Sequence, residues 1–370
     1  MINLASPHIG EEEVEAVSRV LRSGGLAQGP EAAAFETEFA TFIGGGKAVA
    51  VNSGTSALHL ALLALGIGLG DEVLVPSFTF AASANSICLA GATPIFVDID
   101  PQTFCIDPNR IQSSITSRTR AIMPVHLYGH PADMTSIQLI AKEHNLLMIE
   151  DAAQAHGARW DGQPVGLLGD AACFSFYPTK NMTSGEGGMI LFQDTSYERM
   201  ARLLRNQGME RRYDNEVVGF NLRMTDIHAA IGRVQLRRLP NWNVARAQNA
   251  AQLTERIKGP MTPVVLPNAT HVFHQFTVKV PENIRDPFVE LVQQRGVGCG
   301  VYYPTPVHRL SSFGLCDRCR IENGGRCDKL SVTDQIASEC VSLPVHPGLS
   351  EQDINTITEV VNTTYKELVK

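Results

Sequence analysis

No run of apolar residues in this 370-residue chain approaches the roughly 20 that a membrane-spanning helix requires, so a helical membrane protein is not expected. An excess of basic charge is also missing. Lys and Arg number 31 against 38 Asp and Glu, a net charge of −7 and a pI of about 5.9, which gives a nucleic-acid partner no electrostatic support. The N-terminus, MINLASPHIGEEEVEAV, has neither the basic start nor the apolar centre of a secretory signal. A cytoplasmic location is expected, with a cap at Ser6 or Gly10 opening an acidic first helical turn. No internal repeat or low-complexity segment is present. At 44% hydrophobic and 19% charged residues the composition is that of an ordinary globular protein, long enough for two or three units.

The eight cysteines follow no standard metal or disulfide spacing. Cys88, Cys105, Cys173 and Cys299 sit in apolar or strand-like contexts and read as small buried hydrophobes. Cys316, Cys319 and Cys327 form C-x2-C-x7-C in the polar stretch LCDRCRIENGGRCDK, with Cys340 further on. Thiolates this close could hold zinc, yet the spacing is not that of a ribbon or finger. In a reducing compartment a structural disulfide is disfavoured, and no metal is expected.

What the chain does have is alternation. The apolar runs KAVAV, EVLVP, PIFVDI, AIMPV, LLMIE, ACFSF and GMILF are separated by helical patterns between about residues 47 and 192. That order predicts an α/β fold with a mostly parallel sheet covered by helices on both faces. From 245 to 370 a smaller α+β domain is expected, distinct from a large domain over 1–244. HQFTVKV would supply its strand and LSEQDINTITEVVNTTYKELV its closing helix, where Ser350 and Asp353 give a capping-box-like start.

Three features within this frame carry chemistry. Lys180, in SFYPTKNMTSGEGG, lies 29 positions after Asp151 of IEDAAQAHG and downstream of the turn NSGTSALHL. An amine nucleophile, an acid at the end of a buried strand and a small-residue turn opening a helix are what a pyridoxal phosphate enzyme needs. Asp151 at the carboxyl end of LLMIE suits the pyridinium nitrogen, and equally suits a cap for the following AAQA turn. Gly54, Thr55 and Ser56 offer backbone N–H groups and hydroxyls to a phosphate at a helix N-terminus, and Ser175 offers a further hydroxyl. Phe80, rather than Phe78 in VPSFTF, is expected against the cofactor ring.

NSGTSALHLAL, VPSFTF, GATPIFVDID, PVHLYG, IEDAAQAHGA, FSFYPTKNMTSGEGGMI, LRNQGM, VGFNLRMTDIHAAIGRVQL and SLPVHPGLS, taken in order, resemble the DegT/DnrJ/EryC1/StrS family of sugar aminotransferases. The resemblance implies the fold of PLP-dependent transferases of type I, aspartate-aminotransferase-like, in a homodimer whose active sites are shared between subunits. It implies Lys180 as the Schiff-base lysine and proton carrier, Asp151 as the pyridinium partner and Gln154 beside the cofactor ring. Gly54, Thr55 and Ser175 would hold the phosphate, and Asn221 would reach it from the other subunit. A histidine in place of the lysine marks family members that act as dehydratases; lysine here argues for amino transfer.

KNMTSGEGG resembles the segment of enzymes that aminate the C4 ketone of nucleotide-linked 4-keto-6-deoxy sugars, with L-glutamate as donor. Keto-cyclitol and 3-keto-sugar aminotransferases remain alternatives, as does a non-transferring dehydratase or regulator. For the substrate, Arg211 in GMERRYD could meet a diphosphate or carboxylate through its guanidinium fork. Tyr303 and His308 in VYYPTPVHRL match a family stretch near the acceptor sugar.

Overall fold

In the computed structural model, residues 1–314 and 330–370 are described; Cys316, Cys319 and Cys327 lie outside them. Strands β1 (Lys47–Val51), β2 (Glu72–Pro76), β3 (Thr93–Val97), β4 (Thr119–Ile122), β5 (Leu147–Asp151), β6 (Ala171–Ser175) and β7 (Gly188–Phe192) form one sheet, ordered β1-β7-β6-β5-β4-β2-β3. Neighbours from β6 to β3 pair in parallel, whereas β7 runs antiparallel to both β6 and β1. The reason is the connection. Parallel neighbours need a crossover, usually a helix, but the chain returns from β6 to β7 through a loop with no helix in it. That loop carries Lys180 and so places it at the end of the sheet where β5 and β6 terminate.

Successive residues of the strands face opposite cores, as the period of two demands. Ala48, Ala50, Leu74 and Ile95 join one cluster, while Val49, Val51, Val73 and Val75 join the other. The first cluster is dominated by Phe35 and Phe39 from helix α2 (Pro30–Ile43), which pack at ring distances of 5.0–5.5 Å on Phe174 and Phe176. Helix α3 (Gly54–Ala64) covers the opposite face with Leu58, Leu60 and Leu62. Strand β4 ends at Ile122, short of the expected AIMPV run, because Pro124 has no N–H for the ladder. The acidic first helix, α1 (Glu11–Ser23), is capped at Gly10, whose N–H donates to Glu13 Oε2 at 2.9 Å.

A third core holds Phe276, Val278, Phe288, Val341 and Val361. It is built from the antiparallel pair Phe276–Lys279 and Cys340–Leu343 and from two helices, Glu282–Gln294 and Glu351–Leu368, the second with the Ser350–Asp353 capping box. The expected division at 244/245 falls inside one continuous helix, Asp226–Arg256. Its Ala229, Leu236 and Leu239 pack in the large core, Ala230 and Val234 against Ala16 and Val20 of α1, and Ala250 and Leu253 in the small core. The start of the chain also departs from the sequence expectation. The Ile2 N–H donates to Gly296 O at 2.8 Å and Ile2 O accepts from Gly298 N–H at 2.7 Å, which attaches this segment to the small unit. No helix among the described residues is long and apolar enough to cross a membrane.

Candidate active site

The ends of β5 and β6, the first turn of α3 and the Lys180 loop enclose a cavity of about 480 Å³. Ligands of open α/β sheets bind at this end of the strands. Asp151, Lys180, Gln154, Gly54, Thr55, Ser175, Phe80 and Tyr303 all line it.

Asp151 is buried, and no helix follows it: residues 152–158 form turns, so its carboxylate caps no helix. Oδ2 accepts from the Ser83 hydroxyl at 2.7 Å and Oδ1 from the Ala153 N–H at 3.2 Å. Burial pushes its pKa up, opposed by those two donors and by the positive charge of Lys180. Lys180 moves the other way: burial pulls its amine down to about 8, with Asp151 resisting. An amine near 8 is substantially unprotonated at mildly alkaline pH and is a competent nucleophile.

At the start of α3, Ser53 caps the helix by accepting from the Ser56 N–H at 3.1 Å. The N–H groups of Gly54 and Thr55 have no acceptor one turn back and adjoin the cavity. Ser56 was expected to help here, but its hydroxyl is directed to Asn52 Oδ1 at 2.7 Å and it does not line the cavity. A Cβ on Gly54 would stand 2.7 Å from Ser175 Cβ, so only glycine lets helix and strand approach this closely. The result is a cradle of backbone donors and two hydroxyls, from Thr55 and Ser175, fit for a phosphate dianion. With the amine and the carboxylate in the same cavity, the donor set fits pyridoxal phosphate.

Gln154 is held at both ends of its amide. Oε1 accepts from the Tyr128 N–H and Nε2 donates to Tyr303 Oη, each at 2.7 Å. Tyr303 adopts φ 60°, a strained conformation for a bulky side chain, and its ring stacks on Tyr128 at 6.2 Å. Burial raises its phenol, which therefore remains a hydrogen-bond donor. Phe80 is 61% exposed at the cavity mouth, whereas Phe78 is fully buried beneath it.

Three expected residues lie elsewhere. His308 is buried behind β2, its Nδ1 2.6 Å from Ser77 Oγ and its Nε2 3.4 Å from Asp334, and it does not line the cavity. Arg211 lies in an exposed loop and Asn221 in an exposed segment where it accepts from Arg223 Nε at 3.0 Å; neither lines the cavity of its own chain.

The sequence reading passed over Thr79, Tyr177, Glu186, His274 and Gln275, which also line the cavity. Tyr177 and Glu186 flank the lysine in the motif and were within reach of it. His274 and Gln275, read only as strand residues in HQFTVKV, come from the far end of the chain. His274 is fixed by Asn181 Oδ1 at 3.2 Å, and burial holds its ring well below the usual histidine range.

A lysine, a buried acid and a helix start with free backbone donors in one cavity, on a sheet with a single reversed strand, are the parts that a pyridoxal phosphate enzyme requires. The family model for the DegT/DnrJ/EryC1/StrS aminotransferase family matches residues 7–362. The chain is 41% identical to the GDP-perosamine synthase of Caulobacter vibrioides over 96% of both chains. It is also 41% identical to the dTDP-3-amino-3,6-dideoxy-alpha-D-galactopyranose transaminase of Aneurinibacillus thermoaerophilus over 95% of each. Among solved structures, S. venezuelae DesV in complex with a ketimine intermediate superposes with a TM-score of 0.89 at 39% identity, covering 96% of this chain and 95% of that one. The chain belongs to this family and is a pyridoxal phosphate-dependent aminotransferase.

Proposed function

We propose that the protein moves an amino group from L-glutamate to the C4 ketone of a nucleotide-linked 4-keto-6-deoxy sugar. The observation that carries the reaction class is the pairing of Lys180 and Asp151 in one cavity beside the first turn of α3. Pyridoxal phosphate, when bound, would supply an electron sink for the carbon that loses its proton and would carry the amino group between the two half-reactions. Lys180 gives up its place to the incoming amine and then carries the proton at the carbon that bears nitrogen. Asp151 keeps positive charge at the ring nitrogen, the helix start holds the phosphate, and Gln154 fixes Tyr303 as a donor facing the substrate. Donor and acceptor use the same cavity in turn, which predicts ping-pong kinetics.

The choice of C4 rests on the segment Lys180–Gly188, KNMTSGEGG. A relative named for a 3-amino sugar is as similar as the perosamine synthase, and this favours a 3-keto sugar as the second reading. Asn221 and Arg211, neither of which lines the cavity of its own chain, suit a dimer in which each serves the neighbouring site. The deciding experiment incubates the enzyme with glutamate and GDP-, dTDP- or UDP-linked 4-keto-6-deoxyhexoses beside their 3-keto isomers. NMR of the product is expected to place nitrogen on C4; amination only of the 3-keto isomers would overturn the C4 assignment.

A further inference from the structure

Helix α4 (Ala81–Leu89) carries two serines that behave differently. Ser86 makes the bond usual for a helical serine, donating to the carbonyl of Ser83 at 2.8 Å. Ser83 does not. Its hydroxyl leaves the helix and donates to Asp151 Oδ2 at 2.7 Å, 68 positions along the chain. A serine has one hydroxyl hydrogen, so the 2.9 Å contact between Thr79 Oγ1 and Ser83 Oγ must be donated by Thr79. Both residues are buried, Ser83 at 0% and Thr79 at 3% exposure. The two hydroxyls form a directed relay, Thr79 to Ser83 to the carboxylate.

We propose that Ser83 is a positioning residue that holds Asp151 ionised and oriented for the cofactor's ring nitrogen, with Thr79 polarising the Ser83 hydroxyl. The physical need is plain. A buried carboxylate tends to neutralise, and a neutral Asp151 would neither bind nor maintain a pyridinium. Lys180 is the nearest counter-charge in the cavity, and the His126 ring is engaged with Glu150 Oε2 at 3.0 Å. Lys180 must change its own bonding during turnover, so it is an unreliable counter-charge. The relay is permanent. It satisfies one lone pair on Oδ2 while Ala153 satisfies one on Oδ1, which fixes the carboxylate plane and leaves the remaining lone pairs for the ring N–H.

The inference rests on Asp151 being the ring-nitrogen partner, and the test separates the two. Protein is reconstituted with pyridoxal phosphate labelled with ¹⁵N in the ring, and the nitrogen shift and cofactor dissociation constant are measured for Ser83→Ala, Ser83→Thr and Asp151→Asn. Ser83→Ala is expected to move the resonance toward neutral pyridine and weaken cofactor binding about tenfold, the size of a hydrogen bond to a charged group. Ser83→Thr, which keeps the hydroxyl, should restore both. Thr79→Val is expected to give a smaller shift in the same direction and serves as the probe should Ser83→Ala fail to fold. An unchanged resonance in both hydroxyl-deletion variants beside a shifted one in Asp151→Asn would overturn the relay; an unchanged resonance in Asp151→Asn would overturn the assignment of the acid itself.

Discussion

The inner wall of the cavity and the segment 207–221 are opposite in construction, although the proposed function draws on both. Asp151, Gln154 and Lys180 stand at or just past the ends of buried strands, and Asp151 and Gln154 are tied to neighbours by bonds of 2.7–3.2 Å. The outer segment leaves Tyr213 81% and Val218 91% exposed. Its two ends are tied back where Gln207 N–H donates to Phe220 O at 2.7 Å and Leu222 N–H to Arg205 O at 3.1 Å, and its middle is held by surface ion pairs from Arg199 to Glu210 and Glu216. Chemistry common to a whole family can be placed on rigid elements of one chain. Contacts made across subunits have to project outward.

The sharpest way to test that contrast is at its rigid side. Lys180→Arg keeps the charge and removes the nucleophile, so turnover is expected to fall about a thousandfold or more, together with loss of the visible absorbance of the lysine-linked cofactor. Full turnover in that variant would break the assignment. A mixed-subunit experiment addresses the outer side. Lys180→Ala and Asn221→Ala homodimers should both be impaired, yet a mixture that exchanges subunits should regain activity, because each mixed dimer holds one site with neither change. No recovery on mixing would place Asn221 outside the neighbouring site. The smallest effect concerns protonation. Only the neutral amine attacks, and burial sets Lys180 at about 8, so cofactor capture by the apoenzyme should speed up as pH rises through 8 and level off above it. An inflection near the ordinary lysine value instead would show that the amine is not desolvated.

The same contrast explains what could be read in the sequence. Lys180, Asp151, Gly54 and Ser175 were legible because strand ends and a helix start declare themselves through local pattern, and the sheet brings those ends together. Phe80 lines the cavity and Phe78 lies buried beneath it, a difference that strand alternation does not give, because the two positions share a parity and the chain leaves the strand after Pro76. His308 misled because its true partner, Ser77, lies 231 positions away and nothing local announces that bond. Ser83 went unread for the same reason: a serine in an alanine-rich helix start looks like a helix-surface residue until its target is known. No break is legible at 244/245 because helical periodicity continues unchanged there while the core it serves changes between Leu239 and Ala250.

That 31-residue helix also has a mechanical consequence. With Leu239 in one core and Ala250 in the other, the two units are joined by continuous helix through Pro240 and not by a loop. Melting of either core would strip a wall from the other, so calorimetry is expected to show one transition; two separated transitions would show that the shared helix does not couple the cores.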